Sequence, residues 1–172
     1  LNRGVRMEGV FFGADEIASD LLHFSYPYRE FWATDYLKAS KVPLWNPYVG
    51  SGLPILAEAQ TGIFYPTAIL LYYFLSAPVA FNWLIISSFI VIAIGTYFYA
   101  KKIGLGRLAS FFAASVFILS GFMWGHLRHV PILTAMTPMP LIFLAVEKIL
   151  DGGSKKWMAT LAFLTAISFF AG

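Results

Sequence analysis

Past residue 78 the chain alternates long apolar runs with short basic clusters. The apolar runs cover residues 79–100, 108–125, 131–146 and 157–172. A helix needs about 20 apolar residues to cross the hydrocarbon core, with a working range of about 17 to 25. The first run has full length, and the next two come close enough for tilt and packing to complete them. The fourth stops at Gly172 with no polar flank, so the sequence is expected to be a piece of a longer membrane protein. Pro131, Pro138 and Pro140 are expected to kink the third span, their freed carbonyls being satisfied by neighbours. Gly121 and Gly125 form a small-xxx-small pair, as do Ala109/Ala113 and Ser110/Ala114, which predicts close helix packing.

The first third has a different rhythm. Between residues 28 and 38 the apolar Phe31, Trp32, Tyr36 and Leu37 interleave at helical spacing with Arg29, Glu30, Thr34, Asp35 and Lys38, and Pro27 suits a first helical turn. This pattern predicts an amphipathic helix lying on a membrane. Residues 43–54 hold three prolines and two glycines, which fix a loop that is neither helix nor strand. Such rigid loops position functional groups. The apolar stretch 66–75 is too short to cross and is bounded by Pro66 and Pro78, with paired tyrosines, so a short interfacial helix is expected.

Composition settles the class. Of 172 residues, 59% are hydrophobic and 12% charged, against about 45–50% and 25% in soluble domains, and the mean hydropathy is +0.71. Cysteine is absent, which removes disulfide frameworks, thiol nucleophiles and cysteine metal sites. The net charge of +3 conceals an asymmetry: residues 1–65 hold seven acids and five bases, and the remainder two acids and seven bases. The later bases sit between apolar runs and form no stripe with interleaved aromatics, so nucleic acid is not an expected partner. Lys101, Lys102 and Arg107 separate the first and second runs, and Lys148, Lys155 and Lys156 the third and fourth. By the positive-inside rule both loops are cytoplasmic, which places residues 1–65 and the turn at 125–130 outside.

Several residue types point to chemistry. Asp20 opens an apolar stretch through Leu21, Leu22, Phe24 and Tyr26, where burial disfavours a carboxylate unless a cation or donor compensates; as a bland alternative, Asp is a good helix cap. Asp15 and Glu16 are an adjacent acidic pair and a candidate divalent-cation ligand. His126, Arg128 and His129 lie in the outer turn, where a guanidinium grips a phosphate bidentately or binds a lipid headgroup. The two histidines alone fall short of the three or four ligands a zinc-like ion requires. Aromatic residues around the loop (Phe24, Tyr26, Tyr28, Phe31, Trp32, Trp45, Tyr48) either anchor to headgroups or stack on a sugar. Phosphate-cradling glycine loops, serine elbows and His-Glu-x-x-His are absent from the sequence.

The run Ser19-Asp20-Leu-Leu, Tyr26-Pro27, Pro43-Leu-Trp45-Asn46-Pro47-Tyr48, Gly52-Leu-Pro54 and Ala57-Glu-Ala-Gln60 through Tyr65-Pro66 resembles the YfhO-type bacterial membrane proteins, within the GT-C class of polytopic glycosyltransferases. The likeness implies a missing first helix, a large outer loop with interfacial helices, and further spans. It also implies that the catalytic group is an acid of the first outer loop, best placed on Asp20, with Glu58 standing where relatives often carry Asp. A carboxylate so placed takes the acceptor's proton as the carrier phosphate leaves.

The expectation is therefore an all-α, polytopic transmembrane helical bundle of GT-C-like form in the cell membrane. Residues 1–78 form an extracytoplasmic loop with interfacial helices, and residues 79–172 about four transmembrane helices. The expected function is transfer of a sugar from a polyprenyl-phosphate donor to an outer-surface acceptor. Asp20 is the catalytic residue, with Asp15, Glu16 and Glu58 as alternatives. Arg128, His126 and His129 hold the donor phosphate or a headgroup, and Trp45, Asn46, Tyr48 and Gln60 form the acceptor or loop platform. A divalent metal is compatible with this chemistry. Two rival readings stand beside it: a non-catalytic assembly or lipid-binding protein, and a transporter or flippase. The uncharged spans weigh against ion-coupled transport.

Overall fold

The computed structural model describes residues 24–42 and 44–172. Asp15, Glu16, Asp20 and His23 lie outside the described residues. Among those described the protein is all-helical, and its one sheet-like feature is an antiparallel bridge between Asn46 and Leu53.

Three helical segments are long and apolar enough to cross a membrane: Ala77–Lys102 (26 residues), Arg107–Arg128 (22) and Val130–Leu150 (21). They coincide with the first three apolar runs. The first is a single helix, α4 (Ala77–Lys102). Ile86, Ile90, Ile94 and Phe98 form an exposed stripe along it, while Leu84 and Ile92 are fully buried. Such a stripe is costly in water and free of cost against lipid hydrocarbon.

The second segment is broken. It runs as α5 (Arg107–Ile118), then α6 (Gly121–Gly125), then a 3-10 turn at His126–Arg128. The break falls where Ser120 turns extended and caps α6, its Oγ accepting from Met123 N at 3.4 Å. The third segment is α7 (Val130–Met136) followed by α8 (Met139–Leu150). Pro131 and Pro140 sit harmlessly in the first turns of these helices, so the interruption falls at Thr137 and Pro138. There Thr137 N turns to Thr134 O at 3.2 Å, the carbonyl that Pro138 has no N–H to serve, and the Thr137 hydroxyl donates to Leu133 O at 3.0 Å in its place. The last helix, α9 (Lys155–Phe170), has 16 residues and packs on α8.

Small residues act elsewhere than the sequence pattern indicates. A Cβ added to Gly121 or Gly125 would meet nothing within 4 Å, whereas one on Gly95 would lie 3.1 Å from both Pro140 Cβ and Leu141 Cγ. Gly95 thus sets the close approach of α4 and α8. Of the other two pairs, Ser110 and Ala114 are buried and Ala109 is exposed, so only Ser110/Ala114 serves packing.

The expected helix at 28–38 is present as α1 (Tyr26–Phe31), which loosens into a π-helical stretch at Trp32–Leu37. A four-residue α2 (Ile55–Glu58) and α3 (Pro66–Phe74) follow. These elements pack on one end of the long bundle. Tyr26, Trp32, Ile55, Tyr65, Ala68 and Tyr72 share one buried cluster with Ala77, Ala80, Phe81 and Leu84 of α4, Val130 of α7, and Ala171 just past α9. At the other end Lys102 and Asp151 form an ion pair joining α4 to the α8–α9 turn. All six bases of the two basic loops gather at that second end.

Candidate functional site

The helical repeat at the start of α1 determines which side chains face the bundle. Tyr26, Arg29, Trp32 and Ala33 fall on one stripe at spacings of three and four, and all four are buried. Arg29 was expected among the polar, membrane-surface positions. Its side chain is instead 1% exposed, and it is the largest fully buried side chain among the described residues. Tyr26, Tyr28 and Trp32 are likewise core residues and are not free to anchor headgroups or stack on a sugar. Tyr26 packs edge-on against Phe81 at 5.4 Å, and Trp32 against Tyr72 at 5.7 Å.

Around Arg29 lies a buried polar cluster. Nη1 donates to Ser25 O at 3.4 Å and Nη2 to Gln60 O at 3.3 Å, while Nε is buried with no partner. Glu58, at the end of α2, faces this cation without touching it. Its Oε2 accepts from Thr61 N at 3.2 Å and from Thr61 Oγ1 at 2.8 Å, and its Oε1 is buried and unpartnered. The Tyr72 hydroxyl is also buried without a partner, and Tyr26 Oη lies beside the Glu30 carboxylate at a geometry short of a full hydrogen bond.

Burial dominates the electrostatics. It lowers the Arg29 pKa, opposed by Tyr72 and by Glu58, and the side chain still remains a cation at neutral pH. Burial, followed by the neighbouring Glu30, pushes the Tyr26 hydroxyl up to about 12, and burial raises Tyr72 as well. Desolvation raises Glu30, with the Tyr26 hydroxyl opposing. Gly62 closes this region: with φ +64 it admits Ala171 O so closely that a Cβ would sit 2.8 Å away, and 3.7 Å from Arg29 Nη2.

The proline-glycine loop is rigid for identifiable reasons. Asn46 is 2% exposed; its backbone pairs with Leu53 and its Oδ1 accepts from Tyr48 N at 3.0 Å. Asn46 therefore holds the loop together and presents no platform. Gly52, at φ +108, lies under the Trp45 indole, where a Cβ would come within 2.1 Å of the ring. The Tyr36 hydroxyl donates to Trp45 O, tying the loop to the π-helical stretch. Trp45 is 48% and Tyr48 79% exposed, and Gln60 is exposed as well.

The turn His126–His129 lies at the same bundle end, because Val130 immediately follows it and belongs to the shared core. Arg128 and His129 are exposed, and His126 is half-buried, its Nδ1 lying 2.8 Å from Phe122 O and its ring 5.9 Å from that of His129. Among the described residues no three histidine or acidic side chains come together in a way that holds a metal ion. Sequence reasoning missed Arg29, Tyr26 and Tyr72 as a polar group. Helical spacing carried the signal for Arg29 and Tyr26, since Arg29 is three residues from Tyr26 and three from Trp32; Tyr72, on α3, shares no local pattern with them.

No family description, curated protein or solved structure matches the chain.

Proposed function

We propose that this chain is part of a GT-C-type membrane glycosyltransferase of the YfhO kind, moving a sugar from a polyprenyl-phosphate donor to an acceptor at the outer surface. The observation that carries this reading is the gathering of polar chemistry at one end of an apolar bundle. The Arg29–Glu58 cluster, the exposed Trp45 and Tyr48, and the basic turn His126–Arg128 with His129 all lie at that end, and residues 79–100, 108–125 and 131–146 carry no charge. A lipid-linked donor reaches such an end from within the bilayer, its phosphate meeting Arg128 and the histidines while its chain stays in hydrocarbon. Asp20 takes the acceptor's proton, and Trp45 and Tyr48 offer rings against which a sugar stacks. Glu58 is engaged by Thr61 through one oxygen, which suits it to binding rather than to proton transfer. Uncharged spans disfavour the transporter reading.

The test is sugar transfer by the purified full-length protein with polyprenyl-phosphate sugars, with and without a chelator. Asp20→Asn keeps size and capping capacity but cannot act as a base, so transfer should fall by about 10²-fold or more with thermal stability unchanged. Full activity in Asp20→Asn would overturn the assignment of Asp20 as the base, and absence of sugar transfer by the parent protein would return the scaffold to a non-catalytic, lipid-binding role.

A further inference from the structure

A second surface of the same bundle end has the chemistry of an amphipathic anion site. Between the π-helical stretch Trp32–Leu37 and α3 lies a groove of about 380 Å³, with Trp32, Leu37, Ile63 and Ile69 among its walls and Tyr73 at its edge. Ser40 and Lys41 close its polar end. They are held there by a tight turn in which Ser40 takes φ +52 and Lys41 N donates to Tyr36 O at 2.9 Å. Lys38, in the same turn, reaches Leu75 O at 3.3 Å and so clips the turn to the end of α3. Lys41 is exposed and makes no ion pair among the described residues. Residues 36–44 contain two lysines and no acid.

The apolar side of the groove does not stop at its edge. Leu70, Tyr73 and Phe74 of α3 are 60%, 56% and 72% exposed and continue the apolar surface towards Ala77, where the first long apolar helix begins. A face of this kind at the start of a membrane-crossing helix meets the acyl-chain and headgroup boundary. The acid of the neighbouring wall, Asp35, is exposed and forms no ion pair with Lys38 or Lys41, so two cations against one acid select a phosphate-bearing headgroup, since ammonium groups bind phosphate as point charges.

We propose that this groove is a binding site for an anionic phospholipid. The acyl chain lies along Ile63, Ile69 and Tyr73, and the headgroup phosphate sits at Lys41, Ser40 and Lys38. Such a lipid would fix the segment around α1–α3 to the bilayer surface. The proposal is independent of sugar transfer and concerns a different face from the Arg29 cluster and the outer turn.

The experiment is native mass spectrometry of the full chain in a non-ionic detergent, titrated with dioleoyl-phosphatidylglycerol, dioleoyl-phosphatidylcholine, dihexanoyl-phosphatidylglycerol or inorganic phosphate. Dioleoyl-phosphatidylglycerol should be retained in preference to the other three. Each of Lys38→Gln and Lys41→Gln should weaken retention about five-fold, as expected for one lysine near an anionic surface. Lys155→Gln, at the opposite bundle end, should leave it unchanged. Equal retention of phosphatidylglycerol and phosphatidylcholine, equal retention of the short-chain lipid, or indifference to Lys41→Gln would each overturn the site. Circular dichroism of each variant confirms that a loss is not unfolding, and both lysines are exposed enough for folding to persist.

Discussion

Arg29 gives the sharpest handle on how the polar end of the bundle is held together. Its guanidinium spans Ser25 O and Gln60 O, at 3.4 and 3.3 Å, and faces a Glu58 carboxylate with one unpartnered oxygen. Arg29→Met keeps most of the volume but deletes both hydrogen bonds and leaves Glu58 without its counter-charge. Hydrogen bonds to a charged donor contribute about 1.5–3 kcal/mol each. Both are long here, so the lower end applies and their joint loss costs about 3 kcal/mol, to which the more distant Glu58 charge adds a smaller share. Glu58→Gln retains an acceptor for Thr61 while removing the negative charge. In the double variant neither charge is left uncompensated, so the two losses should fall short of additivity by about 1 kcal/mol or more. The assay is denaturant unfolding of the full chain in detergent micelles, followed by circular dichroism and tryptophan fluorescence, since Trp32 packs on Tyr72 beside the cluster. A loss below about 1 kcal/mol in Arg29→Met, or strict additivity with Glu58→Gln, would refute the reasoning.

Three other outcomes follow from the packing. Gly95→Ala should destabilise by about 1–3 kcal/mol through overpacking against Pro140 and Leu141. Gly121→Ala and Gly125→Ala should stay within about 0.5 kcal/mol of the parent, read as thermal midpoints. Gly52→Ala should free the Trp45 ring and shift its emission, because the added methyl has no room beneath the indole; an unchanged spectrum in a variant whose other four tryptophans are phenylalanine would contradict this. Lys102→Gln should lower stability by no more than about 1 kcal/mol, since Asp151, its partner, is 60% exposed.

The long helices were legible because hydropathy reports directly on burial in lipid, and α3 was legible because Pro66 starts a helix where its missing N–H costs nothing. What hid the rest was the identity of the surface each face meets. On α1 an arginine reads as a solvated position, and only the stripe it shares with Tyr26 and Trp32 betrays its burial. The Gly121/Gly125 pair misled for a related reason: spacing marks a helix that has room for a partner, and these two glycines have none nearby, while the isolated Gly95 does. The break at Ser120 depends on a cap, and the π-helical stretch after Phe31 on one extra residue per turn, neither of which apolar periodicity encodes. The turn at Lys38–Lys41 brings two lysines over an apolar groove whose far wall, α3, lies some thirty residues on, beyond the reach of any local pattern. The two basic loops were legible as partners of one bundle end, since charge clusters between apolar runs must collect wherever the helices terminate.

Sidedness tests the account most directly, because it assigns the polar cluster and the basic loops to opposite surfaces. The chain contains no cysteine, so single cysteines at Tyr48, Lys101 and Lys155 can be probed in intact cells with a membrane-impermeant maleimide. Tyr48→Cys should label in intact cells, and Lys101→Cys and Lys155→Cys only after the membrane is opened. Labelling of all three from the same side, or of Lys101→Cys and Lys155→Cys but not Tyr48→Cys in intact cells, would contradict it.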